Sequence, residues 1–164
     1  MPTGLGEPEP LQASHDISGF DCGHIALNDW LREKALRPDA RTSRCYVVAR
    51  NNAVVAYYSL AAGAVAHEGA PGKLRRNAPD PIPVMMIGRL AVDRTLHGKG
   101  LGRGLLKDAL LRVARASEVI GARAVIVHAV DQAALSFYLR YGFRSFPAEP
   151  LTLFRPIDEI VASL

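Results

Sequence analysis

Between Arg94 and Arg103 the chain reads Arg-Thr-Leu-His-Gly-Lys-Gly-Leu-Gly-Arg. Gly98, Gly100 and Gly102 stand at alternate positions, where a backbone can turn tightly and approach a ligand with no side chain in the way. Ahead of them, residues 84–87 and 90–92 are almost unbroken apolar, the pattern of a strand covered on both faces. Behind them, Leu105, Leu106, Ala109, Leu110 and Val113 recur at helical spacing. A strand, a glycine turn and a helix leave backbone N–H groups facing out of a helix start. Such a start attracts an anion, phosphate above all. Two phosphate motifs are excluded by spacing. A Walker loop needs Ser or Thr after its Gly-Lys, and Lys99 is followed by Gly100. A dinucleotide fingerprint needs Gly-x-Gly-x-x-Gly, and here the third glycine comes too early.

The elements around this loop follow from periodicity. Residues 1–10 read as a lead-in or the start of an edge strand, and 11–13 as a short strand. Phe20-Asp21-Cys22-Gly23 leads into a helix over 25–36, with Leu27 and Leu31 on one face, Ala26 and Trp30 beside them and Pro38 ending it. Trp30 reads as a core anchor. Strands over 45–49 and 54–66, rich in Val and Tyr, are joined by a turn at Asn51-Asn52. Tyr57 and Tyr58 point to opposite faces, so at most one faces a cleft. Residues 67–83 form a loop dense in Pro and Gly, long enough to suspect of a function; His67 reads as an ordinary loop residue. The helix after the glycine turn stops at Gly121. Residues 124–129 form a second buried strand with His128 packed in it. A short helix over 131–140 is capped by Asp131, and Gly142 suits a left-handed cap. Residues 144–156 give a last strand or hairpin, and the rest a short tail. This order predicts a mixed sheet flanked by helices in one domain over 1–164.

Composition narrows the class. A chain of 164 residues, 49% hydrophobic and 22% charged, is ordinary for one globular domain with a real core. No apolar run is long enough to span a bilayer. The acidic, Pro/Gly-rich start lacks the basic and apolar regions of a signal peptide. Cys22 and Cys45 make neither a disulfide framework nor a metal site, so a reducing cytoplasm is expected. The formal charge of +4 is unevenly spread. Residues 1–22 hold Glu7, Glu9, Asp16 and Asp21 and no Lys or Arg. Residues 73–115 hold ten basic residues against Asp80, Asp93 and Asp108, a net of +7. Part of that excess is a solvated helix face; the rest suits a polyanion such as coenzyme phosphates or a nucleic-acid backbone. Arg32, Lys34, Arg37, Arg41 and Arg44 are either a solvated face or a rim for an anionic substrate.

A second motif follows the loop after an intervening strand: Asp131-x-x-Ala134-x-x-x-Tyr138-x-x-x-Gly142-Phe143. Together with His97-Gly98-Lys99-Gly100-Leu101-Gly102 it resembles the two acyl-coenzyme A motifs of the GNAT acetyltransferase superfamily, which usually has Gln or Arg where His97 stands. The resemblance implies the GNAT fold, an α/β (α+β) mixed, mostly antiparallel sheet of six to seven strands with splayed central strands, flanked by about four helices. It implies acetyl-CoA as co-substrate and no metal. By the same resemblance Leu90, Ala91 and Val92 pair with the pantetheine arm, and His97, Gly98, Lys99, Gly100, Leu101, Gly102 and Arg103 hold the pyrophosphate. Asp131, Ala134 and Tyr138 complete the cofactor set. Tyr138 matches the general acid: a thiolate leaving group with a thiol pKa of about 8.5 takes a proton from a phenol held beside it. Tyr141 is the fallback. No strong general base is evident; an α-amine, with pKa about 7.7–8.0, is partly neutral already, and water can take the departing proton.

Five further stretches, Phe20–Gly23, Leu27–Leu31, Arg44–Val48, Arg75–Pro83 and Gly88–Asp93, extend the resemblance to the GNAT toxins of bacterial toxin–antitoxin modules. That resemblance implies acetylation of the α-amino group on aminoacyl-tRNA and a block of translation. It implies a ribbon-helix-helix antitoxin, operator DNA bound only through the antitoxin complex, and a homodimer. The tRNA-facing residues it suggests are Arg32, Lys34, Arg75, Arg76 and Arg89. Alternatives remain. A GNAT acting on a small amine or a protein N-terminus predicts no salt-dependent tRNA binding; a module that only holds coenzyme A, or a protein that is mainly a partner in a repressor complex, predicts no acetyl transfer.

Overall fold

The computed structural model describes residues 4–164; of the N-terminal lead-in, residues 1–3 lie outside the described residues. Among the described residues seven strands form one mixed sheet in the order β1-β2-β3-β4-β5-β7-β6. Contacts divide the chain into two units, residues 1–60 with 89–109 and residues 61–88 with 110–164.

In the first unit β1 (Glu9–Pro10) pairs antiparallel with β2 (Ser43–Arg50), Glu9 opposite Val47. β1 lies earlier than the strand expected at 11–13. The Leu11 N–H still reaches the Cys45 carbonyl, but a turn closed by the His15 N–H on the Gln12 carbonyl then carries the chain away. The Asn51-Asn52 turn joins β2 to β3 (Ala53–Val65), with φ of 49 and 68 at the two asparagines. That is the doubly positive pair a two-residue hairpin needs, and Asn is among the few residues to tolerate it. α1 (Ile25–Asp29) follows Gly23 and widens into a π turn over Trp30–Lys34. The helical run ends at Lys34, two residues short of the expected Leu36, and Arg37, ahead of Pro38, is extended before a 3₁₀ turn over Pro38–Thr42. The core here is Phe20, Cys22, Trp30, Leu31, Val47, Val54, Tyr57 and Ala91. Tyr57 sits edge-on to Phe20 and stacks on Trp30, and its hydroxyl donates to the Leu27 carbonyl at 2.7 Å. Tyr58 is equally buried and donates to the Asp108 carboxylate.

In the second unit β5 (Ala124–His128) runs parallel to β4 (Ile82–Val92), Met85–Ile87 lying opposite Val125–Val127. On its other side β5 pairs antiparallel with β7 (Thr152–Pro156), and β6 (Arg144–Ser145) lies beyond β7. Ala70, Leu74, Ile82, Val84, Ala124, Ile126, Phe146 and Phe154 form the core. The loop expected over 67–83 contains the short helix α2 (Gly72–Arg75), whose Leu74 is fully buried. His67, expected to be an ordinary loop residue, is the clasp of that loop. Its Nε2 bonds the Ala78 and Pro79 carbonyls at 2.9 and 2.8 Å, and its N–H donates to Asp80.

Other expectations are corrected. β4 is not covered throughout: Met85, Met86, Leu90 and Val92 are only half-buried. α3 (Leu101–Ser117) ends before Gly121. The Ser117 hydroxyl bonds the Ala114 carbonyl, and the Val119 and Ile120 N–H groups both turn back to Ala116, which closes the helix without a glycine cap. The expected C-terminal tail is a helix, α5 (Ile157–Ala162), whose Ile157 and Ile160 bury one short face. His128 is exposed rather than packed, because it is the last residue of its strand.

Candidate active site

The glycine loop is built on the end of β4. Asp93 follows the strand and caps a single 3₁₀ turn, Arg94–Leu96, its Oδ1 accepting from the Thr95 N–H at 3.0 Å and hydroxyl at 2.7 Å. Its Oδ2 accepts from the Asp21 N–H at 3.1 Å. Asp21 in turn accepts from the Gly23 N–H at 2.9 Å and the Asn28 amide at 3.0 Å, and pairs with Arg94 Nε at 3.2 Å. Buried Asn28 accepts from the Cys22 N–H at 2.8 Å. One polar network thus ties the start of α1 to the base of the loop. The Gly23 N–H and Asn28 amide hold the Asp21 carboxyl below its ordinary range. Partial burial raises the Asp93 pKa, but bonds from Thr95 and Asp21 outweigh it, and the net shift is also downward. No spacing along the chain points to this network, since Asp93 lies 72 positions from the Asp21 N–H that it accepts from.

Leu96 and Leu101, both buried, anchor the two sides of the loop. Gly98 and Gly100 have φ of 76 and 80, the left-handed conformation that side-chain-bearing residues avoid. A Cβ at either would meet nothing within 4 Å, so backbone conformation and not crowding asks for glycine. Gly102 differs from expectation: it lies inside α3, which begins at Leu101. The Gly104 N–H is the first to close on a preceding carbonyl, that of Gly100 at 3.2 Å. The N–H groups of Leu101, Gly102 and Arg103 therefore open outward, beside exposed Lys99 and Arg103. This is a cradle that fits a diphosphate. The His97 ring bonds the Val92 carbonyl at 2.7 Å, stapling the strand end to the loop.

Of the expected pantetheine-arm residues, Leu90 and Val92 are half-buried and Ala91 packs with Trp30 and Tyr57. Arg89 lies with its guanidinium 4.0 Å over the Trp30 ring, a cation–π contact. Burial depresses its pKa, while neighbouring Tyr57 and Cys45 are pushed up by burial, Cys45 to about 12, and stay neutral. Arg32 pairs loosely with Asp29 at 3.8 Å and Lys34 is exposed nearby on the π turn. Arg75 and Arg76, exposed at the end of α2, belong to the second unit.

The second motif folds as α4 (Gln132–Arg140). Asp131 is its N-cap, accepting from the Ala134 N–H at 2.8 Å. Tyr138 is buried, edge-on to Phe137 and Phe143. Burial pushes its phenol well above the ordinary range, so the proton stays on at physiological pH. The Gly142 and Phe143 N–H groups return to the Leu139 and Tyr138 carbonyls with Gly142 at φ 91, a Schellman ending. A Cβ there would also come within 3.1 Å of Arg155. Tyr141 is half-buried against Phe137.

The first unit thus holds a strand–glycine turn–helix cradle and the second a capped helix bearing a buried phenol, the two features expected of a coenzyme A acyltransferase. Residues 41–145 match the family described as acetyltransferase (GNAT) domain, and the chain belongs to that family, whose enzymes draw an acetyl group from acetyl-CoA. Within it the kinship is with toxins. The chain is 44% identical over 152 residues, 92% of each chain, to the tRNA-acetylating toxin of Mycobacterium tuberculosis. AtaT complexed with acetyl-methionyl-tRNAfMet superposes with a TM-score of 0.87 at 32% identity, covering 97% of this chain and 98% of that one. A tyrosine-to-phenylalanine mutant of AtaT, bound to the C-terminus of the antitoxin AtaR and to acetyl-CoA, gives 0.83 at 31%, covering 98% of each. The AtaT–AtaR complex bound to DNA gives 0.77 at 31%, covering 96% of this chain and 98% of that one. Among the described residues no group of His, Cys, Asp and Glu could hold a metal ion, and no helix is long and apolar enough to cross a membrane.

Proposed function

We propose that this chain is a toxin that acetylates the α-amino group of the amino acid on an aminoacyl-tRNA, so that the product cannot enter peptide elongation. One observation carries the choice of acceptor. Identity to the tRNA-acetylating toxin runs over 92% of both chains. It is therefore not confined to the acetyl-CoA motifs that GNAT enzymes share.

Acetyl-CoA supplies a thioester, and the chain's residues hold and discharge it. The loop from His97 to Arg103 receives the pyrophosphate on its outward N–H groups, those of Leu101, Gly102 and Arg103 among them, and the backbone of Leu90, Ala91 and Val92 takes the pantetheine arm. Asp131 and Ala134 set the first turn of α4, and Tyr138 gives its proton to the departing sulfur. Arg32, Lys34, Arg75, Arg76 and Arg89 meet tRNA phosphates. A ribbon-helix-helix antitoxin neutralises the toxin and carries it to operator DNA, where the pair represses its own operon. The toxin works as a homodimer in the cytoplasm. The test is incubation with labelled acetyl-CoA and total charged tRNA: label is expected on the aminoacyl group, and its absence there overturns the proposal.

A further inference from the structure

The acetyl-transfer reading leaves the amine's proton to water, and a side chain in the second unit offers another route. β5 ends at His128, whose exposed ring sits opposite Thr152 of β7. Its Nδ1 lies 3.1 Å from the Thr152 hydroxyl, and that hydroxyl donates to the Glu149 carboxylate at 3.2 Å. With its proton on Glu149, the hydroxyl can only accept from the ring, so Nδ1 carries the hydrogen. The carboxylate–hydroxyl–imidazole chain leaves the lone pair on Nε2, for which no partner appears among the described residues.

The placement suits this chemistry. In the β4–β5 pairing Ile87 lies opposite Val127, which brings His128 level with Gly88 while β4 continues to Val92. β4 and β5 form a parallel pair of the sheet, and the β4 residues expected to take the pantetheine arm, Leu90 to Val92, follow Gly88 along the strand. The same end leads through Ala129 and Val130 to Asp131, the cap of the helix that carries Tyr138.

We propose that His128 is the base that takes the proton from the attacking α-amine, with Thr152 and Glu149 as positioning residues. The proposal rests on the acetyl-transfer reading. As the amine nitrogen bonds the acetyl carbon, one N–H proton passes to His128 Nε2. The C–S bond breaks with its electron pair going to sulfur, and sulfur takes a proton from Tyr138. One proton leaves nitrogen and one reaches sulfur, and solvent restores both side chains.

The experiment compares wild type, His128→Ala and His128→Gln on charged tRNA, with acetyl-CoA affinity measured separately by calorimetry. Both variants should lose about 10²-fold in kcat, at the low end of the general acid–base range, with acetyl-CoA affinity unchanged. Added imidazole should restore about tenfold to the Ala variant and little to the Gln variant, whose side chain fills the space. A variant rate within about twofold of wild type, or a loss in the Ala variant that imidazole does not restore, overturns the role of His128. A wild-type enzyme that leaves charged tRNA unlabelled overturns the acetyl-transfer reading itself.

Discussion

Tyr138 keeps its proton because it is buried and a phenolate there would lack solvation. A phenol held so high is a reluctant donor to a thiolate in water. In the same dry surroundings, however, the thiolate gains proton affinity as well, so donor and acceptor rise together. Tyr138→Phe keeps the ring packing and removes only the donor. It should lower kcat at least about tenfold while acetyl-CoA binding is kept; the usual span for such a group is 10²–10⁴. An unchanged turnover number would return Tyr138 to the core and make Tyr141 the next residue to test. The direction of the shift also fixes a pH signature. Loss of the proton would end the acid role, and an upward shift moves that loss to higher pH. The kcat profile should therefore show no alkaline decline from Tyr138 up to about pH 10, the ordinary phenol value.

At the scale of elements, the glycine loop depends on two left-handed residues and one polar network. Gly98→Ala and Gly100→Ala place a Cβ in free space but in a conformation costing about 1–2 kcal/mol. The loop should then relax away from its cradle shape, weakening acetyl-CoA binding about five- to tenfold by calorimetry, with a smaller change in kcat at saturation. The network under the loop gives a second expectation. Asp21 and Asp93 titrate below their unfolded values, so their contribution is complete above about pH 4 and fades as pH falls through the folded values. A melting series from pH 6 to pH 3 should show that loss, flattened in Asp93→Asn.

Local chemistry made several of these elements legible in the sequence. Asn51-Asn52 specified a hairpin, Asp131 a cap and Gly142 a helix end, each through its nearest neighbours along the chain. What escaped was set by distance or brevity. The bond from the Asp21 N–H to Asp93 spans 72 positions, and no periodicity announces it. α5 is six residues long, too short for a helical stripe to stand out. His128 looked packed because the four residues before it are apolar; that β5 stops there is decided by the β7 partner, not by the run itself.

For the whole molecule the decisive quantity is charge. Each unit carries part of the proposed tRNA set: Arg32, Lys34 and Arg89 lie in the first, Arg75 and Arg76 in the second. Arg89 is the least free of them, stacked on Trp30, and it offers an anion only its outward N–H edge. If these five cations meet five phosphates, the logarithm of tRNA affinity should fall against the logarithm of salt with a slope of about −4, at about −0.7 to −0.9 per phosphate. Removing Arg75 and Arg76 together should make the slope less steep by about 1.5, and removing Arg32 and Lys34 should do the same independently. Acetyl-CoA affinity, which rests chiefly on the backbone cradle, should change little in either pair. Binding measured by filter retention between 50 and 200 mM salt separates the two acceptor classes. A flat response in the wild type would mean that phosphates do not carry recognition and would favour a small amine or a protein N-terminus. A steep response that survives both double substitutions would keep the tRNA acceptor and move its contacts to the remaining cations of α3, among them Arg103, Lys107 and Arg115.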